Sequence, residues 1–216
     1  MSHDTWAHAI VRPVTRRLSY TLVTPNHLTA LRFITGLASG IFVAVGDPTS
    51  MGFGAALFLF SFFLDRADGE LARATGKSSS WGHRFDLVSD YMSNILIFVG
   101  LGIGLSHAGT GGGAVLLGSS AGGAIAGIFA LVSYVERVGG IDAAAFPTAV
   151  GFDPDDAMLI VPVAIWSGAD MLLIMAAGIG APLFLAWTCW RFRKHLLAHA
   201  QWRPAVYWRR AGGPRR

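Results

Sequence analysis

Cysteine is nearly absent. Cys189 is the only one in 216 residues, so no intrachain disulfide can stabilise the chain. Charge is also scarce. Asp, Glu, Lys and Arg make up 14% of the residues, against about 25% in a soluble domain, which excludes a water-soluble fold of ordinary make-up. A cleavable leader is not expected either. The first 20 residues carry Arg12, Arg16 and Arg17 and lack a continuous apolar core, so insertion is expected to rely on the mature helices. There is no internal repeat and no low-complexity segment beyond richness in glycine.

What remains is apolar. Hydrophobic residues make up 53%, and the mean hydropathy is +0.50. These values point to an all-α polytopic membrane protein of a single domain. A transmembrane helix needs about 20 predominantly apolar residues, and six candidates stand out. They cover residues 28–45, 51–64 (continuing helically to about 73), 87–105 and 114–135, then a short and a long helix within 157–190. The break in the last stretch is placed at 168–170. A break at 178–180 would leave Asp170 in mid-bilayer, where a lone carboxylate is costly.

With six spans, all 17 Lys and Arg residues fall on one side, and the opposite turns hold only Asp47, Asp170 and His107. Basic residues gather on the cytoplasmic face, so both termini are expected there, in a bacterial inner membrane. The net charge of +4 is read as membrane orientation and contact with anionic headgroups, not as nucleic-acid binding. Residues 5–21 place Trp6, Ile10, Val14 and Leu18 about four apart with arginines between them. This predicts an amphipathic interfacial helix ahead of a bundle over 24–197. Residues 198–216 form a basic tail with Trp202, Tyr207 and Trp208.

The chemistry concentrates in residues 65–90, DRADGELARATGKSSSWGHRFDLVSD. Asp65, Asp68, Gly69, Ala72 and Arg73 share one helical face, and so do Gly82, Asp86 and Asp90. The pattern predicts a helical hairpin with two aspartates on each arm, facing each other. Two like charges 4 Å apart repel by about 4 kcal/mol at an effective dielectric of 20, so the cluster needs cations. Oxygen ligands without a nearby Cys or His set favour Mg²⁺ or Mn²⁺, and four carboxylates balance two such ions. Two adjacent metals suit phosphoryl displacement. Gly69, Ala72 and Gly82 leave room for a bulky group against the backbone, and Arg73 offers a fork for a phosphate.

The spacing D-x2-D-G-x2-A-R-x8-G-x3-D-x3-D resembles the signature of the CDP-alcohol phosphotransferase family, with every signature position filled from Asp65 to Asp90. The upstream TPNHLTALR, with Pro25, Asn26, Thr29 and Arg32, is similar to the family's entry to its first helix. The resemblance implies a six-helix membrane enzyme, commonly a homodimer. Such an enzyme transfers a substituted phosphate from a CDP-linked donor to an alcohol acceptor and releases CMP. It further implies that Asp65, Asp68, Asp86 and Asp90 ligate two metals and that Asp90 is the base for the acceptor's proton. Gly69, Ala72, Arg73 and Gly82 would line the nucleotide site, with Thr29 and Arg32 beside it.

The second substrate is less determined. The segment after the fourth span holds Glu136, Asp142, Asp153, Asp155 and Asp156 against Arg137 alone, which disfavours a phosphorylated acceptor. The expectation is therefore phosphatidyl transfer from CDP-diacylglycerol to a small polar alcohol. The alternative is an aminoalcohol phosphotransferase acting on diacylglycerol. A cation transporter is a remote alternative, since no ionisable residues continue across the outer halves of the helices.

Overall fold

Local capping chemistry sets most helix boundaries in the computed structural model, which describes residues 6–77, 79–140, 154–194 and 196. The α-helices are α1 (Trp6–Leu18), α2 (Pro25–Val45), α3 (Pro48–Thr75), α4 (Ser80–Leu105), α5 (Gly112–Gly139), α6 (Ile160–Trp166) and α7 (Asp170–Arg191). No strand occurs among the described residues. Proline, whose missing N–H costs nothing there, opens α2 and α3. Asp47 caps α3 by accepting from the amides of Thr49 and Ser50 at 3.1 and 3.0 Å. Hydrogen bonds from the Ser50 side chain and from the amides hold its carboxyl below the usual range. Gly76 ends α3 with a φ of +65°, and Ser79 opens α4 by accepting from Gly82 N at 3.0 Å.

Five helices are long and apolar enough to cross a membrane, and the segment Asp156–Trp166 is a shorter apolar helix. The break before α7 falls where the sequence placed it, at Gly168 with a φ of +71°. Gly178 instead lies within α7, packed against Leu117. The short segment is tied to α3 at both ends. Asp156 meets Arg66, and the Trp166 indole donates to Gly52 O at 3.0 Å. At 1.5 Å per residue, about 21 Å of the α3 axis separates those two anchors.

The main departure from the sequence expectation concerns the hairpin. The arms α3 and α4 touch each other little, because α2 packs along both of them. Small residues allow this close approach. A Cβ on Gly36 would overlap Ser93 of α4, and one on Gly100 would overlap the Gly40 carbonyl of α2. Ser39 and Ser61 add side-chain hydrogen bonds to Gly54 O and Arg32 O on facing helices. Of the α5 glycines, Gly118 and Gly122 pack against α4 and Gly127 against Leu185 of α7, so these three serve contacts within the chain. Large apolar side chains such as Ile34, Phe53, Leu116, Leu172 and Leu183 cover the outside, as a lipid-facing surface requires.

The N-terminal helix also differs in detail. It packs on α3 and buries Val11 and Thr15, with Val11 clustered with Leu28, Leu64, Ala67 and Leu71. Ile10 and Val14, expected on its apolar face, are more than half exposed. The helix therefore presents one face to the bundle and a second apolar stripe outward. The tail 198–216 and most of the acidic segment before Asp156 lie outside the described residues.

Candidate active site

Three helices supply one polar cluster. Asp65 and Asp68 come from α3, Asp86 and Asp90 from α4, and Thr29 and Arg32 from the intervening α2. The guanidinium of Arg32 is 2% exposed and sits among the carboxylates. Its Nη1 lies 2.7 Å from Asp65 Oδ1 and 2.6 Å from Asp86 Oδ1, and its Nη2 lies 2.6 Å from Asp90 Oδ1. Thr29 donates to Asp68 Oδ2 at 2.8 Å. Thus α2 brings both side chains onto the aspartates themselves.

Two further residues orient the acids. Asn94, one turn beyond Asp90, donates to Asp90 Oδ1 at 3.2 Å. Arg66 donates to Asp65 Oδ2 at 3.2 Å, and its other terminal nitrogen meets Asp156 Oδ1 at 3.1 Å. A cavity of about 20 Å³ lies beside the cluster, lined in part by Arg32, Asp65, Asp90, Asn94 and Met158. The short segment before α6 therefore closes one side of the site.

The donor set suits a hard divalent cation. Oxygens of Asp65, Asp68 and Asp86 all lie within 4.8 Å of one another. Two oxygens on one Mg²⁺ or Mn²⁺ stand at most about 4.2 Å apart, so small side-chain adjustments close the shell. Charge points the same way. Among the described residues, five carboxylates (Asp65, Asp68, Asp86, Asp90 and Asp156) outnumber the two guanidiniums paired with them (Arg32 and Arg66). Asp90 lies outside the closest trio and is held instead by Arg32 and Asn94.

Beyond the acids, Arg73 is half-exposed and pairs with Glu70 at 2.7 Å, while Glu70 also receives Arg12 of α1 at 3.2 Å. Ala72 is half-buried on the same helix. The two signature glycines differ. A Cβ on Gly69 would meet only the Arg73 guanidinium, at 3.6 and 3.9 Å, so protein packing does not demand glycine there. A Cβ on Gly82 would stand 2.7 Å from Asn26 Oδ1 and 3.1 Å from the capping Ser79 Oγ. Gly69→Ala is therefore expected to keep its thermal stability in detergent. At Gly82 the crowded atoms are the ends of two short side chains that can swing aside, so Gly82→Ala is expected to keep most of its stability too. Thermal melts of both variants check this, and a large stability loss in either would contradict it.

A family model described as CDP-alcohol phosphatidyltransferase matches residues 22–179. An archaetidylinositol phosphate synthase from Pyrococcus horikoshii is 34% identical over 82 residues, covering 38% of this chain and 42% of that protein. The match thus spans under half the length of that curated relative. Among solved structures, Mycobacterium tuberculosis phosphatidylinositol phosphate synthase, crystallised with manganese and citrate, superposes with a TM-score of 0.59. That superposition has 19% identity and covers 83% of this chain and 88% of the other, which makes it a likeness of fold.

Proposed function

The chain belongs to the CDP-alcohol phosphatidyltransferase family, and from that premise we propose that it transfers a phosphatidyl group from CDP-diacylglycerol to the hydroxyl of a small polar alcohol, releasing CMP. The observation that carries this reading is the convergence of Asp65, Asp68 and Asp86, with Gly69 uncrowded at the position after Asp68. Asp65, Asp68 and Asp86 would hold Mg²⁺ or Mn²⁺, with Asp90 completing a second position. Bound there, two divalent ions would neutralise charge developing on the pyrophosphate.

The chain's own residues do the rest. Gly69 leaves the backbone open to the nucleotide, with Arg73 beside it as a phosphate fork. Asp90 takes the proton of the acceptor hydroxyl as that oxygen attacks the phosphorus bearing the diacylglycerol. The new P–O bond forms as the phosphoanhydride bond breaks, and CMP leaves with the bond's electron pair. Two observations support Asp90 in this role. Its side chain is 31% exposed, so a hydroxyl can reach it, and Arg32 and Asn94 fix its Oδ1.

A phosphorylated polyol as acceptor is a second reading, favoured by two observations. Both relatives are named for making inositol phosphate lipids. In addition, Asp156, counted from the sequence among the acidic groups facing an acceptor, is buried against Arg66. The end of α5 and the end of α7, which pack through Leu131, Val135 and Phe192, carry Arg137 and Arg191 as candidate cations for such an acceptor. For localisation, Arg73, Lys77, Arg84 and Arg137 lie at the aspartate end, whereas Asp47, His107 and Asp170 lie at the other. That asymmetry supports a cytoplasmic site with both termini on the same side; a bacterial inner membrane and a homodimer are the corresponding proposals for location and assembly.

The test is product identity. Purified protein with Mn²⁺ receives labelled CDP-diacylglycerol plus inositol, inositol 1-phosphate, glycerol 3-phosphate, serine or ethanolamine. A parallel arm pairs CDP-ethanolamine with diacylglycerol. A labelled phospholipid is expected from one CDP-diacylglycerol pair. Product only from the CDP-ethanolamine arm would replace this reading with aminoalcohol phosphotransfer.

A further inference from the structure

We propose that Asp156 is a positioning residue for the metal site, acting through Arg66 to keep Asp65 available to a divalent cation; this rests on the metal-site reading above. Asp156 stands ninety positions from Arg66 and belongs to no part of the aspartate signature, yet its side chain is 0% exposed. A buried carboxylate is retained only against a strong partner, and Asp156 Oδ1 lies 3.1 Å from Arg66 Nη2. Arg66, itself 8% exposed, reaches in the other direction to Asp65 Oδ2 at 3.2 Å, and its guanidinium lies 4.9 Å from the Phe62 ring centroid. Asp65 is thus held on both oxygens, Oδ1 by Arg32 and Oδ2 by Arg66.

Two guanidiniums on one carboxylate compete with any metal for its lone pairs. Arg32 is shared among three aspartates, so its charge is spread. Arg66 meets Asp65 through Nη1 and Asp156 through Nη2. Asp156 draws off that charge, so Arg66 orients Asp65 as a hydrogen-bond donor without neutralising it. Partners one step removed from a ligand commonly control metal affinity in this way. The same contact anchors the segment leading into α6, which fixes Met158 against the cavity beside Asp65 and Asp90. Asp156 therefore couples the placement of the short helix to the charge of the metal site.

The experiment measures Mn²⁺ binding directly, by electron paramagnetic resonance of free Mn²⁺ over full-length protein in detergent, without any CDP substrate. Asp156→Asn removes one negative charge from Arg66, raises the positive charge that Asp65 feels, and is expected to weaken Mn²⁺ binding by about tenfold to a hundredfold. The double variant Arg66→Gln with Asp156→Asn keeps an amide pair and removes both charges, so affinity is expected within about threefold of wild type. A merely structural staple predicts no such recovery. Wild-type affinity in Asp156→Asn, or an equal loss in single and double variants, would overturn the inference and leave the transferase reading standing. If only the double variant folds, a loss beyond about tenfold in it overturns the inference. Wild-type protein that bound no Mn²⁺ would remove the metal-site reading and this inference together, whereas a failed transferase assay leaves the binding measurement readable.

Discussion

Asp90→Asn is expected to lower turnover by about 10²–10⁴-fold, the range supplied by a positioned general base. Asparagine keeps an oxygen for Arg32 Nη2, which now lies 2.6 Å from Asp90 Oδ1, so the helices should keep their places. What is lost is the ability to receive the acceptor's proton. Asp65, Asp68 and Asp86 hold the first position without Asp90, so one Mn²⁺ should still bind there, and CMP should still raise the melting temperature. The variant thus leaves the first metal position in place while removing the base from the second. Measuring kcat beside CMP-induced stabilisation decides it. Full turnover in Asp90→Asn would remove Asp90 from the mechanism.

The second large effect is one of stability. Arg32→Met removes the one guanidinium that Asp65, Asp86 and Asp90 share. Breaking a buried charge pair from one side typically costs 3–5 kcal/mol. Asp86 and Asp90 are about a third exposed, and water screens part of their repulsion, so about 3 kcal/mol is expected here. A divalent cation can replace the missing charge. Ligand at a hundredfold excess over its dissociation constant stabilises a folded state by about 2.7 kcal/mol. Arg32→Met should therefore melt well below wild type in EDTA and recover much of the difference in Mn²⁺, with a larger Mn²⁺-induced shift than the wild-type protein shows. An unchanged melting temperature in EDTA would mean that the cluster does not depend on Arg32.

These predictions draw on parts of the molecule that differed in how visible they were in the sequence. The aspartate pattern was legible because helical periodicity fixes which residues share a face, and Asp65, Asp68, Asp86 and Asp90 lie within two adjacent helices. The break at Gly168 was legible from the cost of a carboxylate in mid-bilayer. The wedge role of α2 was not. The positions of Thr29 and Arg32 show only that they lie near the start of a span, and their contacts depend on which helix packs between which others. Gly36, Gly40 and Gly100 carried that signal, because close-packed helices need small residues, but small residues do not name their partners. The Arg66–Asp156 pair was hidden for a related reason. Asp156 stood among acidic residues of a connecting segment, and composition alone counted it with them as a group that disfavours a phosphorylated acceptor. A contact spanning ninety positions leaves no local trace, although Arg66 inside an apolar helix demanded a partner. The N-terminal helix was recognised by its periodicity, but two apolar stripes compete on it, and tertiary packing selected Val11 and Thr15 over Ile10 and Val14.

The central claim, that this aspartate cluster is a metal-dependent site for splitting a CDP-linked donor, meets its most direct test in CMP release. Purified protein in mixed micelles is given CDP-diacylglycerol and the acceptor panel, first in EDTA and then with Mn²⁺ or Mg²⁺ titrated in, and CMP is quantified. The account predicts no CMP in EDTA, saturable release as metal is added, and loss of that release in Asp68→Asn. CMP release that persists in EDTA, or its absence with every donor and acceptor at saturating metal, would contradict it.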